Sequence, residues 1–302
     1  MAGKSNKATF STLKSLVEGG GMATKTILDT GKYLLATATL FVSSVIAAKL
    51  VAMPEPNIND ALSILLVFSL VLSLMIETAV MFVYVRSSSL SGLKLILATF
   101  VLYFGIRTFM LQVETYVFMH VLTSLISLDL MAKIWLQGAI SALIFSPVIA
   151  TLARSEEKPI IDDRQMAKIG RSLFYSLTFV AFLYTLIYFA AGIIIFVPLA
   201  GDASAEFYPD LQLPGWIIPF QLLRGYLWAL LSLLLLSTSR LDATGRHLLA
   251  GLVFGVLVSA QLISPNDLMP DAIRLAHLAE MLVSMTLFGY LSALILGRRR
   301  PK

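Results

Sequence analysis

The chain has 302 residues, 58% of them hydrophobic and only 14% charged, with a mean hydropathy of +0.84. A soluble domain carries about a quarter charged residues and has no means of hiding this much apolar surface, so a soluble fold is excluded. The net charge of +5 comes from basic residues beside apolar runs, which reads as membrane topology rather than nucleic-acid binding; with no cysteine, disulfides, thiolate metal sites and cysteine nucleophiles are excluded as well.

Residues 1–32 are mostly polar and read as a cytoplasmic tail. Phe10, Leu13, Leu16 and Val17 suit a short amphipathic helix there, and Gly19-Gly20-Gly21 suits a break. The tail does not resemble a cleaved signal, so the first span is expected to be retained. A single transmembrane domain then occupies 33–297. Its apolar runs are Tyr33–Val51, Ala61–Val85, Leu95–Met119, Ile134–Leu152, Leu173–Leu199, Trp216–Leu236, Leu248–Ile263 and Ile273–Leu296. Most are long enough to cross about 30 Å of hydrocarbon. The seventh is the shortest. Residues 120–133 fit an interfacial helix, a re-entrant turn or a continuation of span three. A basic tail, 298–302, closes the chain.

Basic residues orient this arrangement. With eight spans and the N-terminus inside, 18 of the 23 Lys and Arg fall in cytoplasmic segments and only Lys133 and Arg274 fall outside. In loops this short such a split is a topology signal, whereas acidic residues carry little. The expectation is an all-α polytopic bundle with both termini cytoplasmic, in a plasma membrane of the bacterial inner type.

Ionisable side chains within spans are costly and usually face the protein interior. They are Glu77 in span two, Arg107 and Glu114 beside Gln112 in span three, Arg224 beside Gln221 in span six, and Arg274, His277 and Glu280 at the start of span eight. Helical spacing puts Arg274, His277 and Glu280 on one face, as it does Gln221, Arg224 and Trp228, and Tyr103, Arg107 and Glu114. Glu114, Gln221, Arg224, His277 and Glu280 fall in the outer half of their spans, Arg107 near the middle, and Glu77 deeper, within reach of Arg107. Two readings follow. The charges are buried ion pairs that fix packing, or they line a polar cavity. His277 beside Glu280 suits proton relay.

His120, His277, Glu114 and Glu280 together would resemble a zinc set, but H-x-x-E spacing is not diagnostic, and no metal or cofactor is expected. There is no HExxH, P-loop or GxGxxG. The outer segments 53–60 and 264–271 look alike, but the spans after them do not align, so the likeness is loop chemistry. Gly251 and Gly255 form a GxxxG suited to packing within the monomer. The first functional expectation is a transporter or permease for an anionic or proton-coupled substrate, with Glu77, Arg107, Gln112, Glu114, Gln221, Arg224, His277 and Glu280 along its path. The alternatives are an intramembrane enzyme acting on a lipid or lipid-linked group, and a structural subunit of a membrane complex. The expected partners are the lipid bilayer and a small-molecule or lipid substrate, without nucleic acid; the oligomeric state is not legible in the sequence.

Overall fold

A computed structural model describes residues 5–54, 60–119, 126–154, 171–209, 213–266 and 268–297. Among them there are helices and turns and no strand beyond one isolated antiparallel pairing, Ser88 with Ser239. Helices are what apolar runs must form in lipid, because only a helix satisfies its own backbone groups within one segment. Eight are long and apolar enough to span: Leu28–Leu50, Ile64–Ser87, Gly92–Val117, Leu128–Leu152, Ser172–Ala200, Ile217–Thr238, Ala243–Ile263 and Asp271–Leu296. The first belongs to a longer helix, Ser5–Leu50. The chain is therefore an all-α, multi-pass membrane protein. Apolar side chains such as Phe68, Phe182, Ile193 and Leu223 are exposed on the outside of the spans, as a lipid-facing surface requires.

Span four starts earlier than its apolar run. Ser127 Oγ accepts from the Leu130 amide, Asp129 sits in the first turn, and Asp129 pairs with Lys133 at 2.9 Å. The cap and the i,i+4 pair let two charged residues sit in helix ahead of the apolar run that begins at Ile134. Residues 128–133 thus belong to span four rather than span three, while 120–125 lie outside the described residues.

The spans fall into two halves, one to four and five to eight, that pack alike. Span one packs on spans two and four, and span three on span four; span five packs on spans six and eight, and span seven on span eight. The halves meet where span two packs on span seven and span three on span six. Exchanging the halves turns one contact into the other, the signature of an approximate two-fold. On its line lies the Ser88–Ser239 pairing, closed by Ser89 N→Thr238 O at 2.6 Å and Arg240 N→Ser87 O at 2.7 Å. Each half makes the same turn there: Leu90 N donates to Ser88 Oγ and Leu241 N to Ser239 Oγ.

Carrying this register along the helices matches the buried faces. Ser73, Leu74, Glu77, Thr78, Met81, Tyr84, Val85 and Ser88 fall on Arg224, Gly225, Trp228, Ala229, Ser232, Leu235, Leu236 and Ser239, all buried. Ring packing repeats too, with Phe145 on Tyr103 at 5.1 Å and Phe288 on Phe254 at 5.6 Å. Between Leu65 and Phe109 the register pairs identical residues only at Leu72/Leu223, Ser88/Ser239, Leu90/Leu241 and Leu97/Leu248. The similar segments 53–60 and 264–271 follow spans one and seven, which are not equivalent, so they play no part in the repeat. Four spans per half start both halves from the same face, here the entry face; the opposite one is the far face.

The Gly251–Gly255 motif is used inside the chain. Both glycines lie against Thr286 of span eight, and Gly289 lies against the Ala250 carbonyl. Absent side chains let spans seven and eight approach to backbone contact.

Candidate functional site

The in-span charges resolve into two groups. The one nearer the entry face lies within half one. Glu77 is 0% exposed and accepts from Arg107 Nε at 2.7 Å, from Tyr103 Oη at 2.6 Å and from Ser73 Oγ at 3.4 Å. Arg107 sits in a π-helical turn, Gly105–Phe109. Such a turn inserts an extra residue and re-aims side chains, and it recurs at functional positions. The repeat shows what this pair replaces: Glu77, Tyr103 and Arg107 take the positions of Trp228, Phe254 and Val258, where half two packs rings 5.7 Å apart.

The second group lies toward the far face and joins the halves. Arg224 of span six is 2% exposed. Its Nη1 donates to Gln221 Oε1 at 2.9 Å, and its Nη2 donates to Glu114 Oε2 at 2.9 Å and to the Met110 carbonyl at 3.2 Å, both on span three. The Tyr184, Tyr188 and Phe220 rings face the guanidinium at 5.7, 6.0 and 5.8 Å, a placement that stabilises a cation through the ring quadrupole. Span five brings Tyr184 this close because Gly225 presents no side chain to Ala181.

Beside this pair stands a third acid with a histidine. His277 Nδ1 lies 3.5 Å from Glu280 Oε2, its Nε2 shares a hydrogen bond with Tyr208 Oη at 3.1 Å, and its ring stacks on Phe196 at 4.2 Å. Phe196 ends a second π-helical turn, Gly192–Phe196 in span five. Tyr208 lies near the carboxylates of both parts. Burial pushes its phenol up to about 12, and the nearby Glu114 and Glu280 carboxylates push it the same way. It is therefore a neutral hydroxyl at neutral pH. An open groove of about 650 Å³ lies at the far face above spans three, four and six, lined by Tyr116, Val117, Met119, Ile126, Ser127, Leu128 and Trp216.

The structure thus joins Glu77 to Arg107, Arg224 to both Glu114 and Gln221, and His277 to Glu280. Arg224 closes on Glu114 and not on Glu280. The buried Gln112 Oε1 has no hydrogen-bond partner. Arg274 leaves the His277 stripe, because its guanidinium caps the end of span seven through the Leu262 and Ile263 carbonyls and pairs with Asp271. Tyr184, Tyr188, Phe196 and Tyr208 were not expected at the site. Tyr184 and Tyr188 are one helical turn apart in a span without charged residues, a polar stripe that could have flagged the first two. His120 lies outside the described residues, and among those described no group of three or more His, Asp or Glu converges as a metal site.

No protein-family model matches the chain, and comparison with curated proteins and with solved structures returns no match. The class that fold and composition define is an integral membrane protein with eight spans among the described residues, in two four-span halves with an ion pair bridging them.

Proposed function

We propose that this protein is a permease for a small anionic or proton-coupled substrate, with its site at the Glu114–Arg224 bridge and the adjoining Tyr208–His277–Glu280 group. The observation that carries the reading is the position of that bridge. Glu114 and Arg224 belong to opposite halves and meet where the halves pack. In repeat-built transporters the substrate site lies at the repeat interface, and one repeat moves against the other around it. An ion pair across such an interface is remade whenever the halves move. The Glu77–Arg107 pair lies inside one half, with Glu77 saturated, and serves packing.

Uptake by proteoliposomes across a panel of small anions, with and without a proton gradient, tests this. Arg224→Ala, Glu280→Gln and His277→Ala are each expected to lower uptake by about tenfold or more, as loss of roughly 1.4 kcal/mol or more at a transport site would. Unchanged uptake in all three, in protein that reconstitutes normally, overturns the reading. An enzyme using the same cluster would instead convert a lipid without net movement of solute.

Both termini are proposed to face the cytoplasm, in a plasma membrane, on the strength of the basic-residue split. A phosphatase that is active only outside the cytoplasm, fused after Lys302, is expected to be inactive; activity there reverses the orientation.

A further inference from the structure

Span six presents a stripe of buried donors, not all of which find an acceptor. Gln221, Arg224 and Trp228 lie on one helical face, and each is at most 2% exposed. Gln221 Nε2 and Arg224 Nε have no hydrogen-bond partner, while Trp228 Nε1 is directed at the Tyr184 hydroxyl. A buried donor left unpaired costs about 1–3 kcal/mol. Two on one face, one of them on the buried cation itself, mark a place shaped for an acceptor that is not part of the chain.

Glu114 satisfies this stripe poorly. From Arg224 it takes one hydrogen bond, on Nη2 through Oε2, with the Tyr188 hydroxyl as its other neighbour, and it leaves Nε empty, although a carboxylate can lie side-on across Nε and Nη2 with two parallel bonds. Its side chain is 21% exposed, against 2% for Arg224, so it has room to leave. Glu114 lies one turn below Val117 in the groove wall, and Arg224 about 12 Å below Trp216. Above the guanidinium the surroundings are Tyr184, Tyr188 and Phe220 rings.

Resting on the permease reading and narrowing it, we propose that the substrate is a monoanionic carboxylate with a small apolar body, and that Glu114 is its built-in mimic. The incoming carboxylate lies side-on across Arg224 Nε and Nη2, takes a further hydrogen bond from Gln221 Nε2, and sets its apolar end among the rings. Glu114 is displaced toward the Tyr208 side. With the Glu114 and Glu280 carboxylates already close by, a monoanion is repelled less than a phosphate dianion, which favours a carboxylate. Glu114 thus competes with substrate and keeps the site closed when none is present.

The test uses purified full-length protein in nanodiscs, titrated with benzoate and with propionate and followed by tryptophan fluorescence and thermal melting; chloride and inorganic phosphate are the comparators. Both carboxylates are expected to bind saturably, about tenfold or more tighter than chloride or phosphate. Glu114→Gln, which removes the competitor, is expected to tighten benzoate binding by about tenfold, and Gln221→Leu to weaken it by a similar factor. A Glu114 that only buttresses packing would lower melting in Glu114→Gln without tightening binding. That result overturns the proposal, as does equal binding of all four anions or no response in either wild type or Gln221→Leu. Transport of a solute that is not a carboxylate, with no carboxylate binding, overturns the substrate class and leaves the permease standing. Carboxylate binding without transport does the reverse.

Discussion

Replacing Glu77 alone by Leu is expected to destabilise the protein by about 3–5 kcal/mol, because it strands the Arg107 guanidinium and the Tyr103 hydroxyl without their acceptor. Replacing Arg107 alone by Val should cost a similar amount, since it leaves a fully buried carboxylate without its cation. The combination Glu77→Leu, Tyr103→Phe and Arg107→Val removes all three polar partners together. Half two already runs a solution of this kind, with Trp228, Phe254 and Val258 at the equivalent positions. The triple variant is therefore expected to recover to within about 2 kcal/mol of wild type, as apolar replacements of buried ion pairs commonly do. Chemical denaturation in detergent micelles reads all of these. Should the triple variant lose as much as the sum of the single ones, the pair is not an isolated packing lock and Arg107 has work elsewhere.

The second large effect is steric. A Cβ at Gly225 would lie 2.5 Å from the Ala181 carbonyl oxygen and 2.8 Å from its Cα, and backbone cannot rotate aside. Gly225→Leu is expected to cost about 3 kcal/mol or more, at or beyond the upper end for overpacking. It should also weaken ligand binding at Arg224, because Tyr184 rides on the same close approach. Gly31→Ala is the control. Its Cβ meets nothing within 4 Å, and in helix interior it is expected to stabilise by about 0.5–1 kcal/mol. Equal melting temperatures for Gly225→Leu and wild type would mean that spans five and six do not touch as described. The equivalent of Gly225 in half one is Leu74, so the halves share a plan but not a spacing.

Much of the architecture was legible residue by residue. Apolar runs set the number of spans, because the hydrocarbon thickness dictates their length. Helical spacing grouped Gln221 with Arg224 and Trp228, and His277 with Glu280, because residues three or four apart must share a face. Depth along the spans paired Glu77 with Arg107. The start of span four stayed open among an interfacial helix, a re-entrant turn and a continuation of span three, since Asp129 and Lys133 interrupt the apolar run and only their pairing and the Ser127 cap show the helix.

What remained hidden depends on which helices are neighbours. Hydropathy says that a helix lies in the membrane and nothing about what it lies beside, because lipid is as apolar as a leucine face. The partner of Arg224 therefore had to come from the tertiary structure, which chose Glu114 across the interface over Glu280. The repeat was hidden for the same reason. Its halves agree in which positions are buried and hardly at all in which residues fill them, since any apolar side chain of about the right size will serve. The sequence by itself determined a membrane protein of eight helices with a few narrow polar edges. The tertiary structure alone decided that two like halves bring one of those edges together as a bridge, with donors to spare.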